Sequence, residues 1–386
     1  MPDISYFGKT NTREPHKVFG IKQADRLSHL YAIGKTGTGK STLLETLLKQ
    51  DIEAGRGFAL IDPHGDLAQR IAAYAGSVRP DSLIYLNAAD RNQPFGYNPL
   101  RKVTPSKIPL AVSGLLEVFK KRWSDAWGVR MEHVLRNALF ALIEKGDATL
   151  PDVLRLLTDK GYRKDVVQGL TNEPVKTFWK DEYPKYSFRY LTDAIAPIQN
   201  KIGAFISDPI LHRLITAPPV DLRFRKIMDD GQMLVVNLAK GSLGEDSSSL
   251  LGALLVTTIG LAAFSRADTP QASLRPFYVY LDEFQEFTTL AVANMVSELR
   301  KYGIALTLSH QNLAQLEPDV RHGVLGNVGT MIAFRLGPED AQVLAREFQP
   351  TFTEEDLVNL PNRSIYLKLM IDGAPSRAFS ATTIKR

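Results

Sequence analysis

Residues 34 to 41 read GKTGTGKS and match the pattern G-x-x-x-x-G-K-[ST] at every fixed position. Gly34, Gly37 and Gly39 let a backbone turn tightly and aim successive N–H groups at an anion that side chains would hold off. A loop of this kind needs a strand to deliver it and a helix to leave it, because the helix N-terminus adds unpaired N–H groups and a positive dipole end. Both flanks comply: HLYAI (29–33) reads as a buried strand and STLLETLLKQDIEA (41–54) as a helix. The run is therefore a P-loop, with Gly34, Lys35, Thr36, Gly37, Thr38, Gly39, Lys40, Ser41 and Thr42 as the expected phosphate-binding residues. Lys40 supplies a point charge near the β- and γ-phosphates, and the Ser41 hydroxyl is placed to ligate Mg2+. Such a chain is expected to bind a nucleoside triphosphate.

Hydrolysis needs more: an acid at the end of a core strand to hold Mg2+, and a group that orients or deprotonates water. FYVYLDEFQEF supplies an apolar strand at 277–281, then Asp282 as metal partner and Glu283 to polarise the nucleophile. Their alternative role is to cap the helix that follows. IALTLS leads to His310 and Gln311, and the ends of adjacent parallel strands converge on one edge. Gln311 is thus either a γ-phosphate sensor or an amide cap for NLAQL. Arg300, in SELRKYG, suits charge stabilisation on a transferring phosphoryl group, while a cation near a helix C-terminus is also favoured by the dipole alone.

Strand and helix patterns alternate around these motifs. GFALID (57–62), LAQRIAAYA (67–75) and SLIYL (82–86) continue the first block; QMLVVNL, LLGALLVTTIGLAAF (250–264), TMIAFRL and SIYLKLM belong to the last. From about Thr104 to Asp230 the strand signal gives way to amphipathic helical stretches such as MEHVLRNALFALIEK. The expected organisation is an α/β domain with a mostly parallel sheet in two parts, 1–103 and 231–386, interrupted by an all-helical subdomain at 104–230.

Several classes drop out. The 386 residues contain no cysteine, so disulfides and thiolate chemistry are excluded, and the seven histidines lack metal-ligand spacing. MPDISYFGKTNTREPHK has no apolar core of signal-peptide length, and the 15-residue run at 250–264 falls short of the ~20 residues of a membrane span, so no integral membrane segment is expected. A net charge of +5 leans only mildly toward polyanions. Phe119, Trp123 and Trp127, interleaved with Lys120, Lys121 and Arg122, read as a packed helix face or as a stacking surface for nucleic acid. Asp62, His64 and Asp66 in DPHGD are either turn chemistry or contacts at the nucleotide edge. NKIG (200–203) lacks the aspartate that pairs with guanine, which favours ATP over GTP.

Taken in order, GKTGTGKST, IDPHGD, YLDEFQEF, SHQN and FRLGPEDAQVLAREF resemble the FtsK/HerA superfamily of P-loop motors, above all HerA-like ATPases and the ATPase domains of type IV secretion coupling proteins. The likeness runs from about Lys17 to the C-terminus. It implies a RecA-like fold, a homo-oligomeric and usually hexameric ring, and ATP-driven translocation of DNA. It assigns Lys40 and Ser41 to Walker A, Asp282 and Glu283 to Walker B, Gln311 to the sensor, and Arg300 to the arginine acting in trans, with Lys301 and Arg335 as alternatives. The helical insertion corresponds to the all-α domain on the DNA-entry side of coupling proteins. Transmembrane helices usual in coupling proteins and the β-barrel of HerA proteins have no counterpart in the sequence. The expected setting is cytoplasmic, with recruitment to the inner membrane or ring assembly left to secretion-channel, relaxosome or nuclease partners. Conjugative transfer leads; the rivals are a HerA-like motor serving a separate nuclease and a nucleotide-gated recruitment scaffold.

Overall fold

The computed structural model describes residues 3–11, 16–216, 218–288 and 290–385, which form two compact units. One comprises Met1–Asn87, Phe224–Gly252 and Ala262–Arg386; the other Ala88–Arg223 and Ala253–Leu261.

The first unit is organised by eleven strands: Ile4–Thr10 (β1), Val18–Lys22 (β2), Leu30–Ile33 (β3), Gly57–Asp62 (β4), Leu83–Asn87 (β5), Met233–Asn237 (β6), Phe277–Leu281 (β7), Ile304–His310 (β8), Thr330–Ala333 (β9), Ser364–Lys368 (β10) and Phe379–Thr383 (β11). They form one sheet in the order β2-β1-β11-β10-β9-β3-β8-β7-β4-β6-β5. Pairing is parallel from β9 through β5 and antiparallel from β9 out to β2. The sheet is thus mostly parallel.

Strands β4, β6, β7 and β8 are buried at every position, as an apolar run covered on both faces must be. On one face Phe58, Leu60, Tyr278 and Tyr280, two apart along their strands, meet Leu43, Leu44, Leu47 and Leu48 of the helix Lys40–Glu53 and Leu67 and Ile71 of the helix Asp66–Val78. Each fully buried leucine there contributes about 1.5–3 kcal/mol of transfer free energy. Beneath them lies a charged knot. Asp51 accepts from Arg26 at 2.7 and 2.9 Å, from Arg56 at 2.9 Å and from the Tyr280 hydroxyl at 2.5 Å, and Arg26 stacks 3.9 Å over the Tyr278 ring. This fastens the far end of the P-loop helix to β7.

The antiparallel flank is a correction to the sequence reading, which placed no strand before residue 29 and none after SIYLKLM. Those segments, ISYFGKT, VFGIK and FSATT, interrupt their apolar residues with glycine, serine, threonine and lysine, so they show no continuous apolar run, and their register is set by pairing with one another: Gly8 opposite Thr383 and Ser364 opposite Thr382. The apolar run at 250–264 lies within a longer helix, Glu245–Ser265. By length and composition that helix could cross a membrane, but 67% of its apolar window is buried inside the protein, as in a core helix.

The second unit is built from helices, among them Ile108–Arg122, Val129–Lys145, Pro151–Thr158, Lys160–Gln168 and Phe188–Ser207. Phe119 and Trp123 are buried and stack at 4.4 Å. Trp127 does not continue their stripe, because the helix ends at Arg122 and a short 3-10 turn follows; its indole donates to Glu132 at 2.8 Å.

Candidate nucleotide site

Parallel register brings the motifs to one edge. Ile33 lies opposite both His310 and Ala333, Leu308 opposite Leu281, and Leu281 opposite Ile61. The residues that leave these strands are therefore neighbours: Gly34 from β3, Gln311 from β8, Asp282 and Glu283 from β7, and Pro63 from β4. Strand β8, which carries Gln311, lies between the P-loop strand and the acid-bearing strand.

The P-loop is held from both sides. Gly34 N donates to His310 O at 3.3 Å, and Lys35 N to Arg335 O at 2.9 Å. A Cβ on Gly34 would stand 2.5 Å from Phe334 Cβ, so this closeness requires glycine. Gly39, at φ 123°, opens the helix Lys40–Glu53 in a conformation that side chains resist. Lys40 is 6% exposed, and its Nζ donates to the carbonyls of Gly34 and Lys35 at 2.6 and 3.2 Å. Burial lowers its pKa, opposed by the charges of Glu283 and Asp282. Ser41 is exposed beside it.

Asp282 is buried, and its pKa is pushed up to about 6 by burial, then by the carboxylates of Asp62 and Glu283, with Lys40 opposing. Glu283 takes a left-handed φ of 48°. Its Oε2 accepts from Gln285 at 2.8 Å and its Oε1 from Gln311 at 2.6 Å. Its side chain does not cap the turn Phe284–Phe287. Gln311 also accepts the Thr36 hydroxyl at 2.7 Å, so one amide spans from the P-loop to the acid pair. The cap of the next turn is Asn312, which accepts from Ala314 N at 2.7 Å.

A magnesium-bound triphosphate fits this donor set. The carboxylates of Asp62 and Glu283 raise the cost of ionising Asp282 where a divalent cation would lower it, and among the described residues the Lys40 ammonium donates only to loop carbonyls. Among the described residues no group of three His, Cys, Asp or Glu forms a ready-made metal cage. That suits Mg2+, which is held by one or two protein oxygens together with substrate phosphates.

Of the remaining sequence-derived residues, Asp62 is occupied with turn chemistry, accepting from His64 N at 3.0 Å and Ala68 N at 2.9 Å, yet it also faces Asp282; His64 and Asp66 are exposed. Arg300 is exposed in the turn Leu299–Tyr302, just before β8 begins, at the opposite edge of the sheet from its own P-loop. Lys301 pairs with Glu298 at 2.8 Å. Arg335 lies on the nucleotide edge and donates to Asn362 at 2.9 Å.

Two neighbours escaped the sequence reading. Arg363, at φ 68°, donates its N–H to Thr38 O at 2.9 Å and passes within 3.8 Å of a Cβ placed on Gly39; only the pairing of the last strands brings it there. His310 is buried behind Gln311, its Nδ1 3.0 Å from the Tyr31 hydroxyl and its ring 4.9 Å from Phe284. Burial and the Lys40 charge push its pKa down to about 3, so it stays neutral. The signal for it was in SHQN, one residue before the glutamine.

Known proteins share this fold. A family model described as the central domain of helicase HerA matches residues 23–258, and one described as the TraM recognition site of TraD and TraG matches residues 276–348. No curated protein is similar in sequence. Among solved structures, the unbound bacterial conjugative coupling protein TrwBdeltaN70 aligns with a TM-score of 0.70 at 17% identity, covering 95% of this chain and 87% of that one. Plasmid coupling protein TrwB in complex with ADP and Mg2+ aligns with a TM-score of 0.66 at 16% identity, covering 95% and 87%. VirB4 of Thermoanaerobacter pseudethanolicus aligns with a TM-score of 0.70 at 15% identity, covering 99% and 96%. At such identities the structural likeness is one of fold. The HerA match spans more than half of the sequence: the chain belongs to the HerA helicase central-domain family, within the FtsK/HerA group of P-loop ATPases.

Proposed function

We propose that this chain is an ATP-hydrolysing DNA translocase that works as a homohexameric ring and serves as a coupling ATPase in conjugative, type IV secretion-linked DNA transfer. The observation that carries it is the Thr36–Gln311–Glu283 bridge, which links the phosphate loop to the water-activating carboxylate through one side chain.

The roles follow from position. The P-loop N–H groups and Lys40 would bind the triphosphate; Ser41 and Asp282 would hold Mg2+, which when bound would neutralise charge on the phosphates. Glu283 Oε1 and Oε2 orient the attacking water and accept its proton, and Gln311, hydrogen-bonded to both sides, registers whether a γ-phosphate is present. Arg300 stands where its own P-loop is out of reach, so a neighbouring copy is the site it serves. The segment 104–230 acts as a substrate-selecting insertion between the ATPase halves 1–103 and 231–386. The coupling-protein structures, among them TrwB in complex with ADP and Mg2+, and the likeness of residues 276–348 to a TraM recognition site support this setting, on the cytoplasmic side of the inner membrane with relaxosome or channel partners.

The test is ATP turnover by the assembled oligomer with and without single- and double-stranded DNA. Stimulation by DNA is expected; a rate indifferent to both in a demonstrated ring overturns translocation. The HerA description of residues 23–258 favours a second reading, a motor that feeds DNA to a separate nuclease. A nuclease encoded beside this chain and activated by it would select that reading.

A further inference from the structure

The helical unit carries a strongly basic concavity. The helix Lys160–Gln168 presents Lys160, Arg163 and Lys164 at i, i+3 and i+4, on one face. The helix Glu173–Thr177 and the π-turn Phe178–Glu182 that continues it present Lys176 and Lys180, four apart. These five cations line one cleft of about 420 Å3, floored by Val167 and the buried Trp179, and no carboxylate lines it.

Two of the five are engaged. Arg163 donates to the carbonyls of Leu156 and Leu157 at 2.8 and 3.2 Å and stands over the Tyr183 ring, and Lys176 reaches Leu170 O at 3.3 Å and Glu173 at 3.8 Å. Lys160, Lys164 and Lys180 are exposed and have no hydrogen-bond or ion-pair partner among the described residues. Like charges gathered without counter-charge repel one another, and an anionic ligand removes that cost.

Two features narrow the class of anion. The uncommitted charges are all lysine, a point charge suited to a tetrahedral phosphate, whereas planar carboxylates are best matched by the arginine fork, and here the one guanidinium is already spent. Trp179 is only 2% exposed and its indole donates to Asn137 O at 3.2 Å, so it offers no face on which a base can stack. The cleft is made for backbone rather than bases. We propose that it binds the phosphates of a nucleic-acid strand without regard to sequence, a contact separate from the nucleotide site. Only the choice of nucleic acid as the polyanion rests on the function proposed above.

The experiment measures binding of fluorescent oligothymidylate, a duplex and a poly-glutamate peptide to the full chain over a salt series. It compares Lys164→Glu/Lys180→Glu, one change on each wall, with Lys226→Glu/Arg189→Glu, which alters total charge equally at exposed positions outside the cleft. The cleft variant should lose about tenfold or more in oligothymidylate affinity at low salt, with a log–log salt slope shallower by about 1.4, as expected for two lost phosphate contacts. Lys164→Gln/Lys180→Gln should give a smaller loss with the same change of slope. ATP turnover without DNA should not move, which separates this result from a failure of the motor reading. Equal losses in the cleft and control variants, or loss of poly-glutamate binding with nucleic acid unaffected, would overturn the proposal.

Discussion

Gln311 Nε2 donates to Glu283 Oε1 at 2.6 Å, while the same amide's oxygen accepts the hydroxyl of Thr36. The carboxylate that would activate water is thereby restrained by a residue that itself touches the phosphate loop. Replacing Gln311 with Ala should lower kcat about 10²-fold, the scale of losing one oriented donor, and leave nucleotide affinity within a few-fold. Rapid-quench turnover alongside equilibrium binding of a fluorescent ATP analogue reads both quantities. A parallel loss of affinity would reduce Gln311 to a prop for the loop.

Glu283→Gln keeps the shape of the side chain and removes the proton acceptor. ATP should still bind, while turnover falls by roughly 10²–10⁴-fold. Lys40→Ala should instead abolish binding, since its ammonium is the buried cation of the loop. If Glu283→Gln turned over normally, the hydrolytic role assigned to the acid pair would be lost.

Asp282 links the site to pH. Its pKa of about 6 in the folded chain, against 3.8 ordinarily, means that the folded state holds a proton the unfolded state has released across that window. Asp282's own contribution to stability without nucleotide should therefore fall as pH rises from about 4 to about 6, by about 3 kcal/mol if the whole shift is expressed. Asp282→Asn should recover that stability at neutral pH yet lose Mg2+-dependent nucleotide binding. In the wild type, Mg2+-dependent affinity should rise through about pH 6 as the carboxylate ionises; a flat profile there would remove Asp282 from the metal site.

His29 and His310 work in the opposite sense. Burial holds them at about 4 and about 3, below the ordinary 6.5, so each gives stability that is present above pH 6.5 and lost as pH falls. Between pH 4 and 6 these two and Asp282 together leave a net uptake of about one proton on unfolding, worth about 1.4 kcal/mol per pH unit. Denaturant titrations of Asp282→Asn over this range should show a slope about twice as steep as wild type. An unchanged slope would show that the three groups do not titrate as their burial dictates.

Asp51 tests the fastening of the P-loop helix. Asp51→Ala leaves Arg26 and Arg56 buried without their shared anion and should cost about 3–5 kcal/mol, visible as a lower denaturant midpoint. Asp51→Asn, which keeps the acceptor oxygen for one donor, should cost less. Equal costs would show that shape rather than charge holds this corner.

The parallel half of the sheet was legible because its strands, apart from the half-exposed edge strand β5, are short runs covered on both faces, and such runs announce themselves without knowledge of their partners. Asp282, Glu283 and Gln311 were legible for the same reason, since they follow such runs and parallel pairing brings them to the shared edge, while Lys40 was legible from the glycine spacing of its loop. Strands β1, β2 and β11 were not, since Gly8, Lys9 and Thr382 carry no periodic apolar signal and become a strand only when paired. Arg363 was hidden with them. Its place beside Gly39 depends on the register of β10 and β11.

That late pairing sets an order of events during synthesis. Gly8, Lys9 and Thr10 find their places opposite Thr383, Thr382 and Ala381, residues the ribosome adds more than 350 positions later. The P-loop and its helix emerge early, but the seam that anchors the first strand beside them cannot close until the last strand has left the exit tunnel. Nascent chains halted before residue 379 should therefore expose the β1 edge of the N-terminal hairpin, an aggregation-prone edge that emergence of residues 379–383 seals.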